Sequence, residues 1–141
     1  MTDILISNES IQYINMAANI LKIDVIDCIV SEERLIFIVK KGHLGIAIGL
    51  KGKNLEKLRK LFKKNIKFVE LDENKEKFIK NLCKPYKINN LTIEGSGDSI
   101  VVKIEANASD KSKLIGKGGS NIDIIRKLAN RHHSIKYFQI K

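Results

Sequence analysis

The chain has 141 residues, 43% of them hydrophobic and 30% charged, with a formal net charge of +10. That balance excludes a disordered chain, and no run approaches the roughly 18 to 20 apolar residues that a membrane-spanning helix needs. The start, Met1-Thr2-Asp3-Ile4, has no basic segment leading into an apolar one, so no secretory signal is read and the expected address is the cytoplasm.

In chain order, Ser7 or Asn8 can cap a first helix that places Ile11, Ile14, Ala18 and Leu21 on one face. Residues 25–30 read as a strand, Glu32-Glu33 as a turn, and 35–39 as a continuously apolar strand covered on both faces. A short helix over 43–48 runs into Gly49-Leu50-Lys51-Gly52, and a second over 53–64 buries Leu55, Leu58, Leu61 and Phe62. A strand over 66–71 closes this set. A helix over 72–83 is then ended by Pro85, which lacks a backbone donor. Strands over 88–94 and 99–104 flank Gly95-Ser96-Gly97-Asp98, whose glycines suit a hairpin. A helix over 109–115, Gly116-Lys117-Gly118-Gly119, a helix over 120–130 and a strand over 135–140 complete the chain.

The second half repeats the first. Ile48-Gly49-Leu50-Lys51-Gly52-Lys53-Asn54-Leu55 returns as Ile115-Gly116-Lys117-Gly118-Gly119-Ser120-Asn121-Ile122, an offset of 67. Leu58, Arg59, Lys60 and Leu61 return as Ile125, Arg126, Lys127 and Leu128 at that same offset. Ile66-Lys67-Phe68 is echoed by Ile135-Lys136-Tyr137, two residues out of phase, and the insertion is expected in the connecting loop. Two domains follow, 1–71 and 72–141, joined by residues 72–86 without a flexible linker.

A glycine turn between two helices lets another backbone approach closely and faces it with the unpaired N–H groups of a helix start, a fitting seat for phosphate. The charge agrees. Residues 1–47 carry four Lys or Arg against six Asp or Glu, while 51–67 carry eight basic residues and one acid, and 111–136 seven and one. A polyanion is the natural partner. An anionic membrane competes less well, because the basic segments lack Trp and a large apolar face. Gly49, Leu50, Lys51, Gly52 and Lys53 in the first turn, and Gly116, Lys117, Gly118, Gly119 and Ser120 in the second, are the expected backbone contacts, with Arg59 and Arg126 as candidates further along each helix. Ile46, Ile48, Leu55, Leu114, Ile115 and Ile122 could line a groove or simply fill the core. Asn54 and Asn121 suit helix caps, and Glu56 and Asp123 suit the positive helix end.

The doubled Ile-Gly-x-x-Gly before an Asn and an apolar helix, in the order helix, strand, strand, helix, helix, strand, resembles the KH RNA-binding module in its type II arrangement. The resemblance implies an α+β fold of two tandem KH domains, each α-β-β-α-α-β, with a three-stranded mixed sheet and helices packed on one face. Over nearly its whole length the chain is similar to the archaeal NusA-like family of transcription termination and antitermination factors. Single-stranded RNA is then the implied partner, close to RNA polymerase. The N-terminal polymerase-binding domain and oligonucleotide-binding barrel of the bacterial relatives have no room here, so a direct polymerase contact does not carry over. Leu50 leaves Lys51 as the only cation inside the first turn, which implies a weaker first unit.

Other chemistries find little support in the residues. His43, His132 and His133 complete no metal or nucleophilic constellation, and Cys28 and Cys83 read as core thiols, so no catalytic residue, metal, cofactor or small-molecule substrate is expected. Five Phe and three Tyr without Trp argue against an aromatic stacking platform. A ribosome-associated or pre-rRNA-processing KH scaffold is the alternative using the same surface. A mononucleotide-using enzyme is the remote one, since the turns lack the Gly-Lys-Ser/Thr ending.

Overall fold

A computed structural model describes residues 8–141, which fold as two compact units, Met1–Asp72 and Glu73–Lys141. In the first, α1 (Asn8–Leu21) leads to β1 (Val25–Val30), β2 (Arg34–Val39), α2 (Leu44–Ile48), α3 (Lys53–Phe62) and β3 (Asn65–Glu70). The second repeats that order with α4 (Lys75–Cys83), β4 (Asn90–Glu94), β5 (Val101–Glu105), α5 (Ala108–Ile115), α6 (Ser120–His133) and β6 (Tyr137–Ile140). Each sheet has three strands with the second in the middle, antiparallel to the first and parallel to the third. The parallel pair forces a crossover, and the two helices around each glycine turn supply it.

The first core lies on one face of the sheet. Cys28, Leu35, Phe37 and Val39 meet Ala17 and Leu21 of α1, Ala47 of α2 and Leu58 of α3, with Ile66 and Phe68 packed alongside. Phe37 stacks on Phe68 at 5.8 Å between ring centroids, and Phe62 meets Tyr13 edge-on at 5.0 Å. As its unbroken apolar run predicts, β2 is buried on both faces, Ile36 and Ile38 included. In the second unit Leu91, Val102, Ile104 and Phe138 are the buried strand residues, and Leu114, Ile125 and Leu128 are among the buried helix residues.

Several sequence expectations need correction. In α1 the buried residues are Ser10, Ala17 and Leu21, with Tyr13 and Ile14 packed against the core, and Ile11 is exposed. The apolar positions of α1 form a broad stripe, and the helix settles one residue round from the expected face. Ser7 lies outside the described residues. Leu61 is also exposed, since Phe62 takes the last core position of α3. The helix expected from Asp72 starts at Lys75, because Asn74 caps it by accepting from Lys77 N at 2.9 Å, while Asp72 is paired with Lys41. β4 and β5 do form the expected antiparallel hairpin, but a short 3₁₀ turn, Gly97–Ser99, lengthens its loop, so the second strand starts at Val101 and not at Ser99. Cys28 and Cys83 are both buried.

The insertion between the repeats lies in a helix, not in the loop. α3 ends at Lys63 and α6 at Ser134, both in the left-handed conformation (φ 56 and 58). The repeat offset thus grows from 67 at the glycine turns to 71 at these caps, so α6 is longer by about one helical turn. Sheet register extends the shift, pairing Arg34 with Asn65 and Val101 with Tyr137. Tyr137 therefore matches Asn65, not Phe68.

Candidate nucleic-acid interface

Each glycine turn is built from the backbone up, and the two are built alike. Gly49 ends α2 at φ 81 and ψ 168, and Gly116 ends α5 at φ 77 and ψ 170. This region is essentially restricted to glycine. The space is closed as well: a Cβ on Gly49 would lie 2.8 Å from the backbone N of Asn54, and one on Gly116 2.8 Å from that of Asn121. The chain then makes one short 3₁₀ turn, Leu50–Gly52 or Lys117–Gly119, closed by Gly52 N donating to Gly49 O and Gly119 N donating to Gly116 O, both at 3.1 Å.

The outer positions are open. A Cβ on Gly52 or Gly118 would meet nothing within 4 Å. Gly52 and Gly119 take the N-cap positions of α3 and α6 in the left-handed conformation, and no side chain caps either helix. Leu50, Lys51, Lys53, Lys117, Gly118 and Ser120 are exposed at these helix starts, with Leu50 at 83%. The arrangement offers a phosphate an approach to backbone beside a cation. The cations are not at equivalent places: Lys51 occupies the left-handed third position (φ 55, ψ 30) that Gly118 holds in the second turn, while Lys117 matches Leu50.

Asn54 and Asn121 are not caps. Each lies inside the first turn of its helix and reaches back to the preceding one, Asn54 Nδ2 donating to Ile46 O at 2.8 Å and Asn121 Nδ2 to Leu114 O at 2.9 Å. They satisfy carbonyls left over at the ends of α2 and α5 and so fix the angle between the helices on either side of the glycines. Sequence reading misses this because Gly52 and Gly119 already hold the N-cap positions.

Arg59 and Arg126 sit at matching places on the exposed faces of α3 and α6, each paired three residues back, with Glu56 at 3.4 Å and Asp123 at 3.3 Å. Such exposed pairs are weak enough to exchange for a phosphate. Of the proposed groove residues, Leu114 and Ile122 are core, Ile48, Leu55 and Ile115 are half-buried, and Ile46 is exposed. His132 and His133 pack on the Phe78 ring at 5.7 and 5.2 Å. Among the described residues no helix is long and apolar enough to cross a membrane.

Comparison with known proteins agrees with this architecture. A KH domain model matches residues 12–80, and a model described as the NusA-like second KH domain matches residues 75–139. The chain is 28% identical over 140 residues to the "Probable transcription termination protein NusA" of Methanocaldococcus jannaschii, covering 99% of this chain and 76% of that protein. It is 30% identical over 115 residues to the protein of the same name from Halobacterium salinarum, covering 82% of each. The crystal structure of APE1850 superimposes with a TM-score of 0.75 at 33% identity, covering 96% of this chain and all of that one. These relatives lend no support to the ribosomal or enzymatic alternatives. With two KH domains in the same order and relatives matched across most of its length, the chain belongs to the archaeal NusA family of transcription termination proteins.

Proposed function

We propose that this protein is a non-enzymatic, cytoplasmic RNA-binding factor that acts in transcription termination or antitermination. Its two KH domains, 1–71 and 72–141, each hold a stretch of single-stranded RNA. The phosphates lie over Gly49, Leu50, Lys51, Gly52 and Lys53 in the first and over Gly116, Lys117, Gly118, Gly119 and Ser120 in the second, with Arg59 and Arg126 further along each helix. RNA polymerase is the proposed protein partner. The observation that carries the reading is the recurrence of one glycine-only backbone path, open on its outer side and flanked by lysine, in both repeats. The names carried by the relatives support the place in transcription.

Aspartate at Lys117 and Gly118 together, or at Leu50 and Lys51 together, tests it. These side chains are exposed and a Cβ on Gly118 meets nothing, so the fold survives while two negative charges face the strand. RNA affinity should fall by tenfold or more, on the order of the 1.4 kcal/mol that a tenfold change represents. The slope of log affinity against log salt should drop by about 0.7 for each phosphate that the variant no longer neutralises. Unchanged affinity in folded variants of both turns would overturn the site. Copurification with ribosomal particles instead of RNA polymerase would overturn the assignment to transcription.

A further inference from the structure

The outer face of α1 is unlike the basic faces of the helices that follow. Asn8, Gln12, Asn15 and Asn19 recur at i, i+4, i+7 and i+11, which confines them to about 60° of the helix circumference over roughly 16 Å of its length. All four are exposed. Ile11 and Met16 border this row, one on each side, and are 43% and 44% exposed. Glu9 is the one charged residue in the helix. By contrast α3 sets Lys53, Lys57 and Lys60 at the same spacing on its exposed side, and α4 turns Lys77 and Lys80 outward.

A row without charge on a chain of net charge +10 narrows the choice of partner. RNA gains nothing from a face with no cation to neutralise a phosphate. A membrane would find only two apolar side chains and no basic row. Loss of charge around an exposed methionine is instead a mark of the centre of a protein interface. Among proteins, the row fits a second copy of this chain. A carboxamide both donates and accepts, so amide pairs with amide, whereas each lysine row would repel its own copy. Among the described residues no side-chain hydrogen bond occupies any of the four amides. The row is also symmetric about the middle of the helix: turned end for end, it brings Asn8 level with Asn19 and Gln12 level with Asn15. A twofold interface requires that correspondence.

We propose that α1 is the contact between two copies of this chain, packed antiparallel about a twofold axis through the helix midpoint, with the amides paired across the seam and Ile11 and Met16 closing its sides. At an interaxial distance of about 8 to 10 Å the facing side chains meet. One helix face covers less than the roughly 800 Å² per partner of a standard interface, so the dimer depends on concentration. None of the residues assigned to RNA lies on α1, and the two readings stand or fall separately.

Sedimentation equilibrium of the full chain, from micromolar to near-millimolar concentration, tests this. The native chain should move from 16.0 kDa towards twice that mass. Gln12→Lys with Asn15→Lys fills the seam with cations, and Gln12→Glu with Asn15→Glu fills it with anions. Each double variant should raise the dimer dissociation constant by about tenfold or more, through like-charge repulsion. Mixed in equal amounts, the two should recover a dimer holding one of each. Lys and Glu are good helix formers at exposed positions, so circular dichroism should show both variants folded. A native chain that stays at 16.0 kDa throughout overturns the proposal, even if the same face then captures a different protein. So does a charged variant that dimerises like the native chain, or a mixture that fails to pair.

Discussion

Exchanging Gly116 for alanine probes the conformation on which the second turn depends. With φ 77 and ψ 170, Gly116 sits where a residue bearing a side chain costs about 1 to 3 kcal/mol. Its new methyl group would stand 2.8 Å from the backbone N and 2.9 Å from the Cβ of Asn121. That amide belongs to the first turn of α6, so relief requires the helix itself to shift, adding about 1 to 3 kcal/mol. The combined cost is about 2 to 6 kcal/mol, a large part of the ~5 to 15 kcal/mol that holds a domain folded. Gly118→Ala is the matched control. Its φ of 63 and ψ of 19 are ordinary left-handed values with nothing within 4 Å of the added atom, so it should cost only about 1 to 2 kcal/mol. With urea slopes of about 1 to 3 kcal/mol per molar, the difference amounts to a midpoint lower by about 1 M for Gly116→Ala. The chain has no Trp, so far-UV circular dichroism follows the transition, and amide exchange in α6 isolates the second unit. Equal midpoints for the two variants would refute the argument that the first glycine is indispensable and the third replaceable.

Two further outcomes follow from the same geometry. Lys51→Gly should raise the stability of the first unit by about 0.5 to 1 kcal/mol, the left-handed penalty less the entropic cost of glycine, while lowering RNA affinity. Urea midpoints and RNA titrations moving in opposite directions check this, and a fall in both would contradict it. Asn121→Ala should cost about 1 to 3 kcal/mol because it strands a buried carbonyl at Leu114. Asn54→Ala should cost at most about 1 kcal/mol, since its bond to Ile46 O is exposed. Equal midpoint shifts in the two variants would show that burial of the carbonyl does not set the cost.

Much of the fold is legible in the sequence because the repeat and the unbroken apolar run of β2 leave few alternatives. What the sequence hides is instructive in physical terms. Ile11 falls on the expected buried face of α1, yet apolar residues occupy so much of that helix that periodicity does not fix the centre of its stripe. Asn130 reads as a helix stop, but α6 continues to His133, where two histidines pack on the Phe78 ring. That contact is tertiary and leaves no local signal. The two glycine turns are readable because glycine answers a backbone demand that no other residue meets. The tie from Asn121 to Leu114 is not, because an asparagine at a helix start usually signals a cap.

The lengthening of α6 has a consequence for how this architecture can vary. Four extra residues turn the following side chains by only about 40°, whereas two would turn them by about 200° and send the apolar stripe to the solvent. A helix downstream of such a clamp can therefore grow or shrink in whole coils without disturbing what lies beneath it. Each added coil resets the distance between the fixed glycine hinge and whatever the next strand displays, a ruler on which natural or designed variants could set the length of the molecule they hold.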